Sequence, residues 1–288
     1  MVRDYVLAST PDEAARLVSE DPTAIVMGGG TTIVPRATVG ELNDRRVIGL
    51  ARAGLDQVHR NGALTLGATT PLQVVAELDD VPALATAARS IGGWPLRTTA
   101  TIGGNLLVSR PYGDLVPVLL ALDAEVALAG AQGEQRTPLA EALDGNRPLA
   151  GELLTEIVIP GRAGTVSFER CARLAAGAPP VVSVAARLRR EGGMISEARI
   201  ALSAVGPRAF RATGAEESLV GSPGDEAAVE AAVEAAAGSV EVVDDAVASA
   251  WYRARMIKVH VRRALASALE GEAARAPGPS ASNSTASR

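Results

Sequence analysis

The stretch Thr99-Ala100-Thr101-Ile102-Gly103-Gly104-Asn105-Leu106, running on through Pro111 and Asp114 to Ala121-Leu122-Asp123-Ala124-Glu125-Val126, decides how this chain is read. Its glycine pair admits close backbone approach, while Thr101 and Asn105 supply short polar side chains. Asp114 stands just ahead of an apolar run, Leu115 to Leu122, which is expected to be helical because a first turn tolerates Pro117. The Asp114 carboxylate there either caps that helix or accepts hydrogen bonds from the hydroxyls of a polyol such as a ribityl chain. Glu125 to Ala129 then reads as a strand.

An earlier segment, Val26-Met27-Gly28-Gly29-Gly30-Thr31-Thr32-Ile33, carries the same chemistry. Three glycines let amides converge on an anion, and two threonine hydroxyls add donors. Neither GxxxxGK[ST] nor GxGxxG is present. Two such loops in one globular unit are either tight connections without a ligand or two sides of one extended phosphate-bearing ligand.

Outward from these loops the pattern is mixed. Thr10-Pro11-Asp12-Glu13 is a capping box with proline at the first helical position, opening a helix to about Ser19, and Thr70-Pro71-Leu72-Gln73 repeats it. Ala24 to Met27, Val47 to Leu50, Leu64 to Gly67 and Leu153 to Ile159 read as strands, and Pro82 to Ile91 as a helix closed by Gly92-Gly93. Glu191-Gly192-Gly193 joins strands at Val181 to Arg189 and Ile195 to Ala204 as a hairpin. Helices are predicted over Asp225 to Ala237 and about Asp245 to Leu269. Beyond Gly271 large apolar residues are almost absent, so 271–288 is expected to be a disordered tail. The reading is α+β in two parts, with a break near Pro160 to Thr165.

Composition narrows the chemistry. With 288 residues, 47% hydrophobic, the chain buries a sizeable core. A net charge of −5 and 2% aromatic residues argue against nucleic acid, and no apolar run reaches bilayer length. Met1 to Thr10 lacks a charged n-region and an h-region, so the cytoplasm is expected. Cys171 is the one cysteine, which excludes an intrachain disulfide, a Cys-rich zinc site and a four-cysteine cluster. His59 and His260 are far apart, so no His triad or HExxH site is available. Any redox group must therefore be organic, a flavin or a nicotinamide.

In sequence order these segments resemble the FAD-binding subunit or domain of the xanthine dehydrogenase and carbon monoxide dehydrogenase family, from Tyr5 to about Leu269. The likeness is strongest over Ala100 to Val126 and continues in Gly28 to Pro35, Glu152 to Pro160, Ser249 to Arg253 and Arg262 to Leu265. It implies a two-lobed PCMH-type FAD-binding domain over 1–163 (lobes about 1–60 and 61–163) and a smaller α+β domain, a short antiparallel sheet with helices, over 164–270. It also implies that FAD lies along Val26 to Ile33 and along Thr101, Ile102, Gly103, Gly104 and Asn105. Asp114 takes the position of the family's FAD-contacting Asp, and Ile91 and Leu154 match apolar positions lining the cofactor. Arg170 stands where family members carry a Lys near the flavin, and Leu174 replaces a frequent Arg.

By that resemblance the chain passes electrons from 2Fe-2S clusters on a small partner subunit, fed by a molybdenum-cofactor large subunit, through FAD to NAD⁺, a quinone or another acceptor. The flavin performs the two-electron chemistry, so no catalytic acid or base and no metal is expected here. Two other classes fit the residues: a self-sufficient FAD-dependent oxidoreductase, and a non-catalytic nucleotide-binding or assembly protein. Cys171 is expected to be a buried filler, Trp94 and Trp251 core or interface anchors, and the histidines surface or satisfied. Arg253, Arg255, Lys258, Arg262 and Arg263 read as a solvated helix face or as a contact for an acidic partner.

Overall fold

The computed structural model describes residues 2–108, 113–144, 151–161, 164–174 and 177–275. Its first helix opens as the capping pattern dictates. Thr10 Oγ1 accepts from the Glu13 amide at 3.1 Å, and Glu13 Oε2 reaches back to the Ser9 amide at 2.8 Å. This helix, α1 (Pro11–Glu20), crosses between β1 (Asp4–Leu7) and β2 (Ile25–Met27). A second crossover carries α2 (Ile33–Thr38) and leads to β3 (Arg46–Gly49). The three strands pair in parallel in the order β1-β3-β2, a geometry that such long crossovers require.

The second lobe is antiparallel, in the order β4-β5-β8-β6-β7. Its strands are β4 (Val58–Arg60), β5 (Ala63–Gly67), β6 (Glu125–Gly130), β7 (Gly133–Pro138) and β8 (Leu153–Pro160). Between β5 and β6 lie α3 (Leu72–Ala76), α4 (Pro82–Arg89), α5 (Trp94–Arg97), α6 (Ile102–Leu107) and α7 (Val116–Ala121), and α8 (Leu139–Asp144) follows β7. Because β4 pairs with β5, the second sheet takes in residues before 61, the expected start of that lobe.

The C-terminal unit holds β9 (Thr165–Ala172), β10 (Pro180–Glu191), β11 (Met194–Ser203) and β12 (Phe210–Arg211), antiparallel in the order β12-β11-β10-β9. The helices α9 (Thr213–Leu219), α10 (Glu226–Gly238) and α11 (Ala250–Arg275) pack on it. In β10 the first nine residues, Pro180 to Leu188, are all buried, an unbroken run rather than an alternation. A strand reads that way when both faces are covered. Here Ala185 joins α7 and the second lobe in one cluster, while Val182, Val184, Ala186 and Leu188 join α11 in another. α11 meets that face with Ile257, Val261, Ala264, Leu265 and Ala268, one stripe at helical spacing.

The α7 segment is held to this sheet by charge at its C-terminal end. Asp123 adopts φ 51°, which aims its carboxylate at Arg187 (2.8 Å), Arg199 (3.0 Å) and Arg211 (3.3 Å) from three adjacent strands. Glu197 takes a second bond from Arg187 at 2.7 Å.

Several expectations are corrected. The second capping pattern does not form: Pro71, not Thr70, is the N-cap of α3, because Thr70 is wholly buried and its carbonyl accepts the Ile102 amide. Gly103-Gly104 is the first turn of α6 rather than a loop, because Thr101 Oγ1 caps that helix on the Gly104 amide. The final helix starts at Ala250, since Asp245 instead caps the amides of Val247 and Ala248 and binds Arg253. It runs on to Arg275, into the expected tail, and residues 276–288 lie outside the described ones. Pro111 of the deciding stretch and Ala163 at the expected domain boundary lie outside them as well. Trp94 and Trp251 are 62% and 68% exposed, so neither is a core anchor.

The basic face also dissolves. Arg253 is buried on Val181, Val243 and Asp245, Lys258 pairs with Glu234, Arg262 pairs with Glu230, and Arg255 stacks over Trp251.

Replacing Asp123 by Ala removes one of the carboxylates that hold Arg187, a side chain only 1% exposed. Thermal and urea unfolding should show a loss of about 3 kcal/mol, the low end for breaking a buried ion pair from one side. Asp123→Asn, which keeps the left-handed preference and one acceptor, should lose less.

Candidate cofactor site

The first glycine loop leaves the C-terminal end of β2, where Val26 and Met27 pair with Ile48 and Gly49. Gly30 turns the chain at φ 73°, and its carbonyl accepts the Val34 amide at 2.8 Å, which starts α2 at Ile33. The amides of Gly28, Gly29, Gly30, Thr31 and Thr32 donate to none of the described residues. Thr31 and Thr32 are exposed, and Thr32 makes no side-chain capping bond. Such a run of successive free amides at the start of a helix is a concavity for an anion.

This loop is pressed against the second. A Cβ on Gly29 would lie 1.7 Å from the Thr99 carbonyl oxygen, and one on Gly28 would lie 2.7 Å from Thr101 Oγ1. At Gly29 backbone leaves no room for a side chain, and at Gly28 one would displace the Thr101 side chain. The two loops thus form one continuous wall, as a single ligand spanning them requires.

Their amides differ. In the second loop the Ile102 amide donates to the Thr70 carbonyl and the Gly103 amide to the Ala68 carbonyl, both at 2.9 Å. The Gly104 amide goes to Thr101 Oγ1, and the Asn105 amide goes to the Thr101 carbonyl. Gly103 has its own packing reason, since a Cβ there would meet the Ala68 carbonyl at 2.7 Å. The second loop therefore supplies shape and the first supplies donors.

From the second loop a polar path leads to the C-terminal unit. Asn105 Oδ1 accepts the Leu115 amide at 3.3 Å. Next to it Asp114, 5% exposed, does not cap α7, whose N-cap Leu115 has no side-chain bond. Asp114 Oδ1 instead accepts from Arg170 Nε at 3.1 Å and from Ser183 Oγ at 2.7 Å. Arg170 and Ser183 are partners in the β9–β10 register, so both side chains meet Asp114 from one face of the sheet. Arg170 also donates to the Ala178 carbonyl.

Beside Arg170 a cleft of about 220 Å³ is lined by Thr86 of α4, by Ser90 at that helix's C-cap, and by Phe168, Glu169, Arg170, Ala172 and Leu174. Ile91, the next residue after Ser90, is half-buried against the second-lobe core. Leu154 is not brought to this cleft. It lines a separate small apolar gap with Leu106, Leu107 and Leu143. Among the described residues no cluster of three His, Cys, Asp or Glu side chains is arranged to hold a metal ion.

Thr86, Ser90, Phe168, Glu169 and Ser183 were not foreseen from sequence. Thr86 and Ser90 form a hydroxyl pair at helical spacing, and Ser183 is the one polar side chain in the buried Pro180-to-Ala186 run of β10. Both were legible signals. Glu169 carried none.

Residues 1–162 match the family model for the FAD binding domain in molybdopterin dehydrogenase, and residues 167–268 match the carbon monoxide dehydrogenase flavoprotein C-terminal domain. The 6-hydroxypseudooxynicotine dehydrogenase complex subunit alpha of Paenarthrobacter nicotinovorans is 33% identical, covering 92% of this chain and 94% of that one. The carbon monoxide dehydrogenase medium chain of Hydrogenophaga pseudoflava is 28% identical, covering 91% and 95%. Among solved structures, quinoline 2-oxidoreductase from Pseudomonas putida 86 superposes with a TM-score of 0.85 at 26% identity, covering 93% of this chain and 97% of that one.

Gly29→Ala should unfold the loop contact at a cost of about 3 kcal/mol, the upper end for overpacking, because backbone rather than a movable side chain blocks the new methyl. Gly214→Ala, whose Cβ meets nothing within 4 Å, should be neutral or slightly stabilising in the same urea titration.

Proposed function

Because this chain belongs to the FAD-binding flavoprotein subunits of the molybdopterin dehydrogenases, we propose that it carries electrons from iron–sulfur clusters of a partner chain, through its FAD, to a diffusible acceptor. The observation that carries this reading is the row of free amides from Gly28 to Thr32, backed by the Thr99–Thr101 wall and linked through Asp114 to the Arg170 cleft. In this proposal the first loop holds the FAD diphosphate, with Thr31 and Thr32 adding hydroxyl donors and Thr101 facing them across the Gly28 contact. Asp114 Oδ2, which accepts from none of the described residues, takes a hydroxyl of the sugar-alcohol chain.

The FAD supplies the two-electron chemistry when bound. The residues of this chain do the rest. Arg170 is fixed by Asp114 and the Ala178 carbonyl, so a flavin ring held in the cleft would meet an oriented guanidinium. That guanidinium stabilises negative charge arriving there without moving a proton. Thr86 of α4 and its C-cap Ser90 close one side of the cleft, and Phe168 supplies an aromatic wall. Ile91 borders the α4 side. Leu154 supports α6 from beneath rather than touching the ligand.

The relatives named above are subunits of dehydrogenase complexes. We extend that to a molybdenum-cofactor large chain and a 2Fe-2S small chain as partners of this one, with NAD⁺, a quinone or another small molecule as acceptor. No described helix is long and apolar enough to cross a membrane, and we place the assembly in the cytoplasm.

Tagged purification from the native host should retain two further chains, one cysteine-rich, with a flavin spectrum, iron and molybdenum. A colourless chain that stays so with added FAD would refute the proposal. Gly30→Ala forces a methyl into a φ of 73°, 3.1 Å from Met27 Sδ. Calorimetry should find FAD affinity lowered at least about tenfold, roughly 1.4 kcal/mol.

A further inference from the structure

His260 is the feature of the molecule that the reading above does not use. It sits on the inner face of α11, 5% exposed, and its Nδ1 makes no hydrogen bond among the described residues. The nearest charged atom is Glu169 Oε2, 3.5 Å away. Glu169 stands on β9 beside Arg170, and it is itself one of the residues lining the cleft. A buried imidazole nitrogen whose facing group is a carboxylate 3.5 Å away, at the wall of a cleft, is a costly arrangement for structure alone.

The surroundings define what that nitrogen can do. On α11 itself Arg263 is the charged neighbour, and it disfavours the imidazolium. From β9 the residues on the face toward α11 are Ser167, whose hydroxyl is spent on the Ala264 carbonyl, Glu169, and Cys171, which contacts Tyr252. β10 contributes only apolar side chains to this cluster. On α10, Glu230 and Glu234 are held by Arg262 and Lys258. Among the described residues Glu169 is thus the single carboxylate addressed to His260. Burial holds the imidazole below its ordinary range, with Glu169 opposing and Arg263 reinforcing that shift. Burial thus favours the neutral imidazole over the imidazolium beside Glu169.

We propose that His260 and Glu169 form a redox-linked proton seat, which takes up one proton from solvent between Nδ1 and Oε2 when electrons arrive in the cleft. This rests on the reading of the cleft as the place where the flavin receives them. The balance is simple. Electrons come from the substrate oxidised by the complex, and one proton leaves water and binds the imidazole. No other bond forms or breaks, and the proton is released when the acceptor removes the electrons. Added negative charge near Glu169 raises the dyad's proton affinity, and the buried setting strengthens that coupling. Arg170 cannot play this part, because its guanidinium stays protonated and is already matched to Asp114.

The test uses the purified, FAD-loaded complex. The flavin midpoint potential is measured against pH in wild type, His260→Gln and Glu169→Gln. In wild type the pH dependence should steepen by one extra proton per two electrons over a window extending below pH 6.5. In both variants that steepening should vanish while FAD content stays the same. Identical pH profiles in all three overturn the seat.

A second measurement needs no change at the dyad. The chain has two histidines, and His59 is exposed, so His59→Gln leaves His260 as its sole histidine. With isotope-labelled histidine incorporated into this chain, oxidised-minus-reduced infrared spectra should show an imidazole-to-imidazolium band. A yellow complex with silent histidine overturns the seat alone, whereas a colourless complex overturns the flavin reading and the seat with it.

Discussion

The approach of Gly29 to the Thr99 carbonyl is the contact on which the site is built. At the distance the backbone adopts there, any side chain would collide with a carbonyl oxygen that has no freedom to move. The contact joins a parallel three-stranded lobe to an antiparallel five-stranded one, so two sheets of opposite construction share a wall. It also explains why the two glycine loops differ in chemistry. The second loop spends its amides on Ala68, Thr70 and Thr101 to become rigid. The first loop, leaning on that rigid surface, keeps its own amides free.

A second constraint fastens the C-terminal sheet. α7 is bracketed by two aspartates, and both face arginines of that sheet: Asp114 holds Arg170, and Asp123 holds Arg187, Arg199 and Arg211. All six residues of α7 are buried. Burying such apolar side chains contributes about 1.5–3 kcal/mol each, which outweighs what desolvated ion pairs return. The apolar face therefore supplies the adhesion, and the aspartates at either end select one register. Ser183 reinforces that choice from inside the apolar first half of β10.

This division accounts for what sequence did and did not reveal. Elements with a local signature were legible: α1 through its capping box, the β10–β11 hairpin through Glu191-Gly192-Gly193, and α10 through Asp225, which caps it. Elements whose partners are distant were not. β1, β7, β9 and α9 carry weak local patterns and exist because a neighbouring strand or helix completes them. Thr70-Pro71-Leu72-Gln73 has the local pattern without the outcome, because a tertiary bond to Ile102 claims its carbonyl. The same logic governs the site. The glycines were found from their spacing, but the use of their amides depends on which loop lies underneath. The Asp114–Arg170 pair crosses 56 residues of chain, and nothing near either residue announces the other.

That pair also changes the electrostatic argument about the cleft. A lone guanidinium would stabilise negative charge strongly in a site shielded from water. With the Asp114 carboxylate at 3.1 Å and Glu169 on the same wall, the fixed charges near the cleft nearly cancel or lean negative. Arg170 stabilises only part of the charge delivered there, and the remainder is balanced by something mobile or by screening from solvent. A proton is the smallest mobile cation available. In the described wall the buried imidazole facing the Glu169 carboxylate at 3.5 Å offers it a place. The buried histidine and the paired arginine are in this sense two halves of one arrangement, with fixed charge stabilisation assigned to Arg170 and the remaining charge balance to the Glu169–His260 pair.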